Sequence, residues 1–360
     1  MEATQAAPEQ ATEKPSVPAT PHKSIIIWLA IGCLLIFTMV VVGGITRLTQ
    51  SGLSMVEWDL IMGSVPPMSQ AEWMEEFSKY QQSPEFKELN YDFSLADFKS
   101  IFWWEYIHRM LGRFIGVVFI VPFLWFLVKK QIPRDLMPKL LIILGLGAFQ
   151  GFLGWYMVKS GLVNDPHVSH YRLAMHLITA FLTFGYTFWV ALSLFFGDAK
   201  ADFRLPSLSR LVRILFWVVL VQIVYGAFVA GLKAGVYYPT WPKMGDQWFA
   251  DGITAYEPLW RSFIEGIAGV QFLHRYIAYV VAILVIVIWW KARNMRLQFS
   301  QRYAVNALAV MMLIQFYLGV MTLINAVPIY LGVAHQAGAF LLFGATVFAM
   351  HRLGWTPKQG

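Results

Sequence analysis

The sequence predicts an all-α integral membrane protein: eight transmembrane helices forming two pseudo-symmetric four-helix bundles, with both termini on the inner side. Three observations lead there. Hydrophobic residues make up 58% of the 360, against about 45–50% in ordinary soluble domains. Charged residues fall to 14% and the mean hydropathy reaches +0.54, which excludes a soluble globular enzyme or a disordered chain. Apolar runs of roughly 20 residues recur, each long enough to cross about 30 Å of hydrocarbon. A closed barrel would instead alternate polar and apolar residues.

The elements follow in order. Residues 1–24, rich in Ala, Pro, Glu and Thr, form a disordered cytoplasmic tail. Its three Glu argue against a mitochondrial transit peptide, a class poor in acids. The spans fall near 25–44, 102–128, 140–158, 173–196, 211–231, 269–290, 303–325 and 330–350. The stretch from Ser69 to Ser100 contains A-E-W-M-E-E-F-S-K-Y and reads as an amphipathic helix near the outer surface.

Charge orients the spans. Lys129, Lys130, Arg134 and Lys139 lie between spans 2 and 3. Lys200, Arg204, Arg210 and Arg213 lie between spans 4 and 5, and Lys291, Arg293, Arg296 and Arg302 between spans 6 and 7. With Arg352 and Lys358 they mark the cytoplasmic side. The net charge of +7 therefore speaks of topology, not of nucleic acid. The long 1–2 and 5–6 connections face the periplasm or an equivalent compartment. Cys33 is the single cysteine, so there is no disulfide, no Cys-based zinc site and no C-x-x-C-H motif for covalent haem.

The chain repeats itself. Gly43, Gly52 and Trp58 return as Gly226, Gly235 and Trp241, offset by 183. His108-Arg109 returns as His274-Arg275, and Gln150 as Gln315. Four spans separate the equivalents, so the repeat is parallel. The halves are 25–200, with a long outer loop at 45–101, and 201–360.

Four of the eight histidines, His108, His176, His274 and His335, each sit in the first turns of an even-numbered span. All four imidazoles then lie in the outer half of the membrane, two per half. Unrelated packing histidines are the alternative, but intramembrane ionisable groups are costly and usually functional. Haem iron takes two neutral imidazoles from facing helices, and a four-helix core accommodates the flat macrocycle. Zinc would need further ligands that the second half lacks. The pattern thus predicts two bis-histidine haem sites, His108 with His176 and His274 with His335. Arg47, Arg109, Arg113 and Arg275 are candidates for the haem propionates, with Lys159 and Arg172 behind them. Interfacial snorkelling is the competing role for each. His22 lies in the tail, His351 at the inner end of span 8, and His167 and His170 read as plain loop residues.

The halves differ in one place. Glu105 precedes His108 by three residues and shares its helix face, whereas the second half has Gln271. A carboxylate beside one haem makes that half the reacting one and Glu105 a base. A cap or an Arg partner at the wet interface is the plainer alternative.

Several motifs point to one family. G-G-I-T-R-L-T-Q-S-G-L-S (43–54), F-W-W-E-Y-I-H-R-M-L-G-R (102–113), Q-G-F-L-G-W-Y-M-V-K-S-G-L (150–162), A-G-L-K-A-G with Y-P-T-W-P-K-M (230–244) and L-H-R (273–275) resemble haem A synthase. The resemblance covers nearly everything after residue 24 and is nearest to the alphaproteobacterial and mitochondrial branch. It implies an oxidoreductase that oxidises the C8 methyl of haem O to a formyl group through a hydroxylated intermediate, giving haem A for cytochrome oxidase. It implies haem O on His108 and His176, haem B on His274 and His335, and a catalytic Glu105. The cysteine pairs of some members are absent here.

If histidine fills both axial positions, iron has no open site. Withdrawing electrons and adding water to the methyl carbon, with Glu105 as base, avoids that difficulty. A di-haem b-type electron-transfer cytochrome is the alternative reading, and a haem transporter or chaperone a third. The resemblance places the chain in a bacterial inner membrane, among lipid, with its haem sites toward the periplasm. Haem O synthase and oxidase assembly factors follow as partners from the order of reactions. The sequence leaves a homo-oligomer open.

Overall fold

The structure is a computed structural model describing residues 23–57, 62–163, 166–197 and 205–354. Residues 1–22 of the expected tail, with His22, and Trp58, Lys200, Arg204 and Lys358, lie outside the described residues, whereas Lys23 and Ser24 already belong to the first helix. Ten α-helices run through them: α1 (Lys23–Leu48), α2 (Gln70–Tyr80), α3 (Pro84–Glu88), α4 (Leu95–Val128), α5 (Met137–Val158), α6 (His170–Phe196), α7 (Pro206–Gly231), α8 (Ile267–Arg293), α9 (Phe299–Ile324) and α10 (Ile329–Arg352). All but α2 and α3 are long and apolar enough to cross a membrane, eight in number as expected.

The membrane helices outrun the expected spans by a few residues, because polar ends can continue a helix beyond the hydrocarbon. The largest difference is at α4, which begins at Leu95, not near 102. Ser94 and Asp97 form a reciprocal capping box there, satisfying backbone donors at the helix start. His108 therefore sits in the fourth turn of its helix, whereas His176, His274 and His335 sit in the second or third. Pro122, deeper in α4, has no N–H for the Val118 carbonyl. The Trp28 indole of α1 supplies the missing donor at 2.8 Å.

Neighbour contacts close two rings of four. In the first, α1 packs on α4, α4 on α5, α5 on α6 and α6 on α1. The second ring runs through α7, α8, α9 and α10 in the same way. The largest buried core fills the second ring, α7 to α10, and extends across the seam to α1 and α6 of the first. Phe181 touches Phe343 while Phe184 touches Phe340, with centroids 5.6 and 4.1 Å apart. A Cβ on Gly185 would fall 2.8 Å from the Phe343 ring, and one on Gly344 3.3 Å from the Phe184 ring. Each contact thus has a reciprocal partner 159 residues away, the pattern that a local two-fold relation produces.

The expected amphipathic helix is α2. A Ser69–Glu72 capping box starts it, and Trp73, Phe77 and Tyr80 bury one face against Phe98, Ile101 and Phe102 of the α4 extension. The extra length of α4 thus serves as the platform for the 49–94 loop.

Candidate functional site

The four histidines come together in two pairs, one in each ring. His274 of α8 and His335 of α10 face each other with ring centroids 6.4 Å apart and planes at 85°. His108 of α4 and His176 of α6 lie within electrostatic reach of one another.

Each ring rests against a glycine of the preceding membrane helix. A Cβ on Gly43 would stand 2.8 Å from Cε1 of His108. The matching distances are 3.2 Å for Gly154 and His176, 3.2 Å for Gly226 and His274, and 2.9 Å for Gly319 and His335. A Cβ at Gly43 or Gly319 would overlap the ring, and at Gly154 or Gly226 the ring would have to give by a few tenths of an ångström. Glutamines add polar ties. Gln150, Gln222 and Gln315 donate Nε2 to the backbone carbonyls of His176, His274 and His335 at 2.9, 3.0 and 3.0 Å. The Nδ1 atoms of His108 and His274 are buried without a hydrogen-bond partner.

Glu105 is buried, one turn before Arg109 on α4. Oε1 accepts from Arg109 Nη2 at 2.6 Å and Nε at 3.1 Å, and Oε2 accepts from the Ser54 hydroxyl at 2.7 Å and the Met55 amide at 2.8 Å. Four donors therefore surround the carboxylate, which is an acceptor only while ionised. To take up a proton it must first give up one of them.

The candidate cations occupy unlike positions. Arg109 also donates to the carbonyls of Met55 and Glu57, both at 2.8 Å. Arg275 donates to those of Tyr238, Thr240 and Lys243 at 2.6, 2.8 and 3.0 Å, with its Nε buried and unpartnered. Both guanidiniums thus staple the long loop of their own half. Gln271, buried one turn before Arg275, has no charge to offer it, so the second half has no counterpart of the Glu105–Arg109 pair at this position. Arg47 lies in the last turn of α1, and its side chain makes no hydrogen bond or ion pair among the described residues. Arg113 lies one turn beyond Arg109. Arg172 donates to the Tyr156 carbonyl at 2.8 Å and covers that ring, and Lys159 lies over Trp155.

His170 departs from the expectation of a plain loop residue. It is the first residue of α6, and its Nε2 lies 3.0 Å from the Ile264 carbonyl. It ties the two halves at the end where their long loops meet. His351 is buried at the far end of α10 beside Ser193 and Trp189.

Among the described residues no three His, Cys, Asp or Glu side chains gather as a metal cluster. A group that brings most of its own iron ligands suits these two-histidine sites better than a bare ion.

Comparison with known proteins decides the family. The model of the COX15-CtaA family, cytochrome oxidase assembly protein, matches residues 26–347. The chain belongs to this family. "Heme A synthase" of Flavobacterium psychrophilum is 50% identical over 335 residues, covering 92% of this chain and 98% of the relative. Proteins of the same name from Nitrosospira multiformis and Rhodospirillum centenum are 48% and 43% identical. They cover 92% and 96% of this chain and 94% and 93% of themselves. The family match runs through both rings of helices and all four histidines.

The histidines and Glu105 were visible in the sequence as candidates. Gln222 was not, nor were the Gly154–His176 and Gly319–His335 pairs. The signal was present as Gln-x-x-x-Gly at 150–154, 222–226 and 315–319. It emerges only when all four membrane hairpins are aligned, not just the two halves.

Proposed function

We propose that this membrane protein is a haem A synthase that oxidises the C8 methyl of haem O to the formyl group of haem A, for cytochrome oxidase. The relatives' shared name supports the activity. The carrying observation for two separate haem sites is the pair of histidine couples, each set in a glycine cradle. An iron bonded to two imidazoles at the usual metal–nitrogen distance, roughly 2 Å, keeps their ring centroids about 6 Å apart. The 6.4 Å between His274 and His335 fits that requirement. Haem B belongs on this second pair, where it would supply one-electron chemistry as a permanent cofactor. The substrate haem O belongs on His108 and His176, because the carboxylate lies on that side only.

In this reading Glu105 accepts the proton of the water that adds to the activated methyl carbon. Arg109 holds the carboxylate in place, and the Ser54 hydroxyl is the donor that yields so that Oε2 can take the proton. Each round removes two electrons and two protons, the electrons leaving singly to an external acceptor, and two rounds give a geminal diol, which dehydrates to the aldehyde. Arg47 serves a propionate of the substrate haem, since its side chain has no other partner among the described residues. Arg109 and Arg275 position the loops that cover each site; Arg113 is a further propionate candidate.

The basic loops support a topology with both termini in the cytoplasm and both haem sites toward the periplasmic face of a bacterial inner membrane. The halves 25–200 and 201–360 then divide the labour as substrate and cofactor units. The test is conversion of added haem O by the purified, haem B-loaded protein in oxygen-18 water, with the alcohol trapped before it becomes the aldehyde. Label in the alcohol supports the reading. Product without label overturns the water route, and no product overturns the activity.

A further inference from the structure

The glutamine ties are not shared by all four histidines. Gln150, Gln222 and Gln315 each stand four residues before the glycine that faces a histidine. Gln150 and Gln315 also bring Nε2 to 3.2 and 3.1 Å from Nδ1 of their rings. In α1 the equivalent position, four before Gly43, is Met39. Its terminal methyl lies 3.3 Å from where a Cβ of Gly112 would be. Gly112 follows His108 by four, where Ala180, Ala278 and Ala339 follow the other three histidines. The first hairpin thus replaces a Gln–Ala pair by Met–Gly.

The replacement changes the chemistry around His108. A primary amide donates and accepts at once, whereas a thioether donates nothing and accepts weakly. Among the described residues no side chain donates to the His108 carbonyl, and its Nδ1 is buried unpartnered. The nearest polar tie between α1 and α4 lies a turn away, from Thr46 Oγ1 to the Trp104 carbonyl at 3.3 Å, and the Trp28–Val118 bond lies farther off. His274 also has an unpartnered Nδ1, but its carbonyl is held by Gln222. Such carbonyl ties hold in place the helix turn that carries a ligating imidazole, and a ring Nδ1–H donated to an amide oxygen would strengthen it as a ligand.

We infer that Met39 makes His108 the exchangeable axial ligand, the one that lets go when substrate haem enters and product haem leaves. His176, His274 and His335 stay held by their glutamines. The inference rests on assigning haem O to His108 and His176. A substrate site has to release its haem after each turnover; a cofactor site does not. Met39 is a positioning residue in this scheme, acting through the histidine it fails to brace.

Carbon monoxide is the probe, added to the reduced, haem-loaded holoprotein, with the haems of each sample identified by mass. It binds a six-coordinate haem only where an axial ligand departs. In the unaltered protein it should take the farnesylated haem and leave haem B untouched. M39Q restores an amide of nearly the same shape, and carbon monoxide affinity should fall about fivefold, the worth of one ordinary hydrogen bond. Q315M should create a carbon monoxide-reactive haem B. Farnesylated haem present, with equal affinity in the unaltered protein and M39Q, overturns the inference. Should M39Q not fold, Q315M decides alone: a haem B still unreactive overturns it. Absence of any farnesylated haem overturns the underlying site assignment instead.

Discussion

Gly319→Ala isolates the histidine cradle from the general stability of the fold. The new Cβ would stand 2.9 Å from His335 Cε1, 3.4 Å from Nδ1 and 3.7 Å from Nε2. Ordinary carbon–carbon contacts lie at about 3.5–4.0 Å, so the ring must retreat by roughly 0.6 Å or more. Metal–ligand distances tolerate only about 0.2 Å. The haem-free protein gains from the same change, because alanine in a helix interior is favoured over glycine by about 1 kcal/mol. The two effects therefore have opposite signs. Thermal unfolding of the haem-free variant should match or exceed that of the unaltered protein, while haem B affinity falls about 10–100-fold, the usual cost of disturbing a ligand's support. Haem per chain after purification, read by pyridine haemochrome absorbance, measures the second effect. Gly147→Ala in α5 is the control, since a Cβ there meets nothing within 4 Å. Full haem retention with an unchanged spectrum in Gly319→Ala would refute the cradle argument.

Three further predictions follow from other parts of the molecule. Glu105→Gln removes the carboxylate that pairs with the buried Arg109 guanidinium; haem O should accumulate unconverted while haem B content stays normal, and wild-type conversion would remove Glu105 from the chemistry. Arg275→Ala deletes three bonds to loop carbonyls, so limited proteolysis should cut within 232–266 while 49–94 keeps its resistance. Burial pushes the Glu85 carboxyl up to about 7 from its ordinary 4.5, against the Tyr80 hydroxyl that donates to it at 3.1 Å. The folded loop holds that proton more tightly than the unfolded chain, so its stability is full below about pH 4.5 and declines as pH rises to about 7. Glu85→Gln should flatten this decline, by at most about 3 kcal/mol, in a pH series of proteolysis rates on the 62–94 segment.

Much of the architecture was legible because membranes impose simple rules. Length and hydropathy located all eight spans, and His108, His176, His274 and His335 stood out as polar groups in apolar helices. Ends were less legible, since the Ser94–Asp97 box carries α4 two turns beyond its apolar run. The repeat was only half visible. The glycine-to-histidine distance is 65 residues in the first hairpin, 22 in the second, 48 in the third and 16 in the fourth. These differences reflect loop length alone, and they hide a pattern that is constant in space. The loop-stapling roles of Arg109 and Arg275 were illegible for a related reason. Their partners are backbone carbonyls 32 to 54 residues away, which carry no side-chain signature. Glu105 was legible as a residue, but its four donors depend on the 54–55 turn folding back onto α4.

The central claim is that two histidine pairs hold two different haems. The direct measurement is mass identification of every haem extracted from purified His108→Ala and His335→Ala variants, compared with the unaltered protein. The account predicts that His108→Ala loses haem O, its hydroxylated form and haem A but keeps haem B, whereas His335→Ala loses haem B. Loss of the same haem from both variants, or haem B alone at both sites of the unaltered protein, would contradict it.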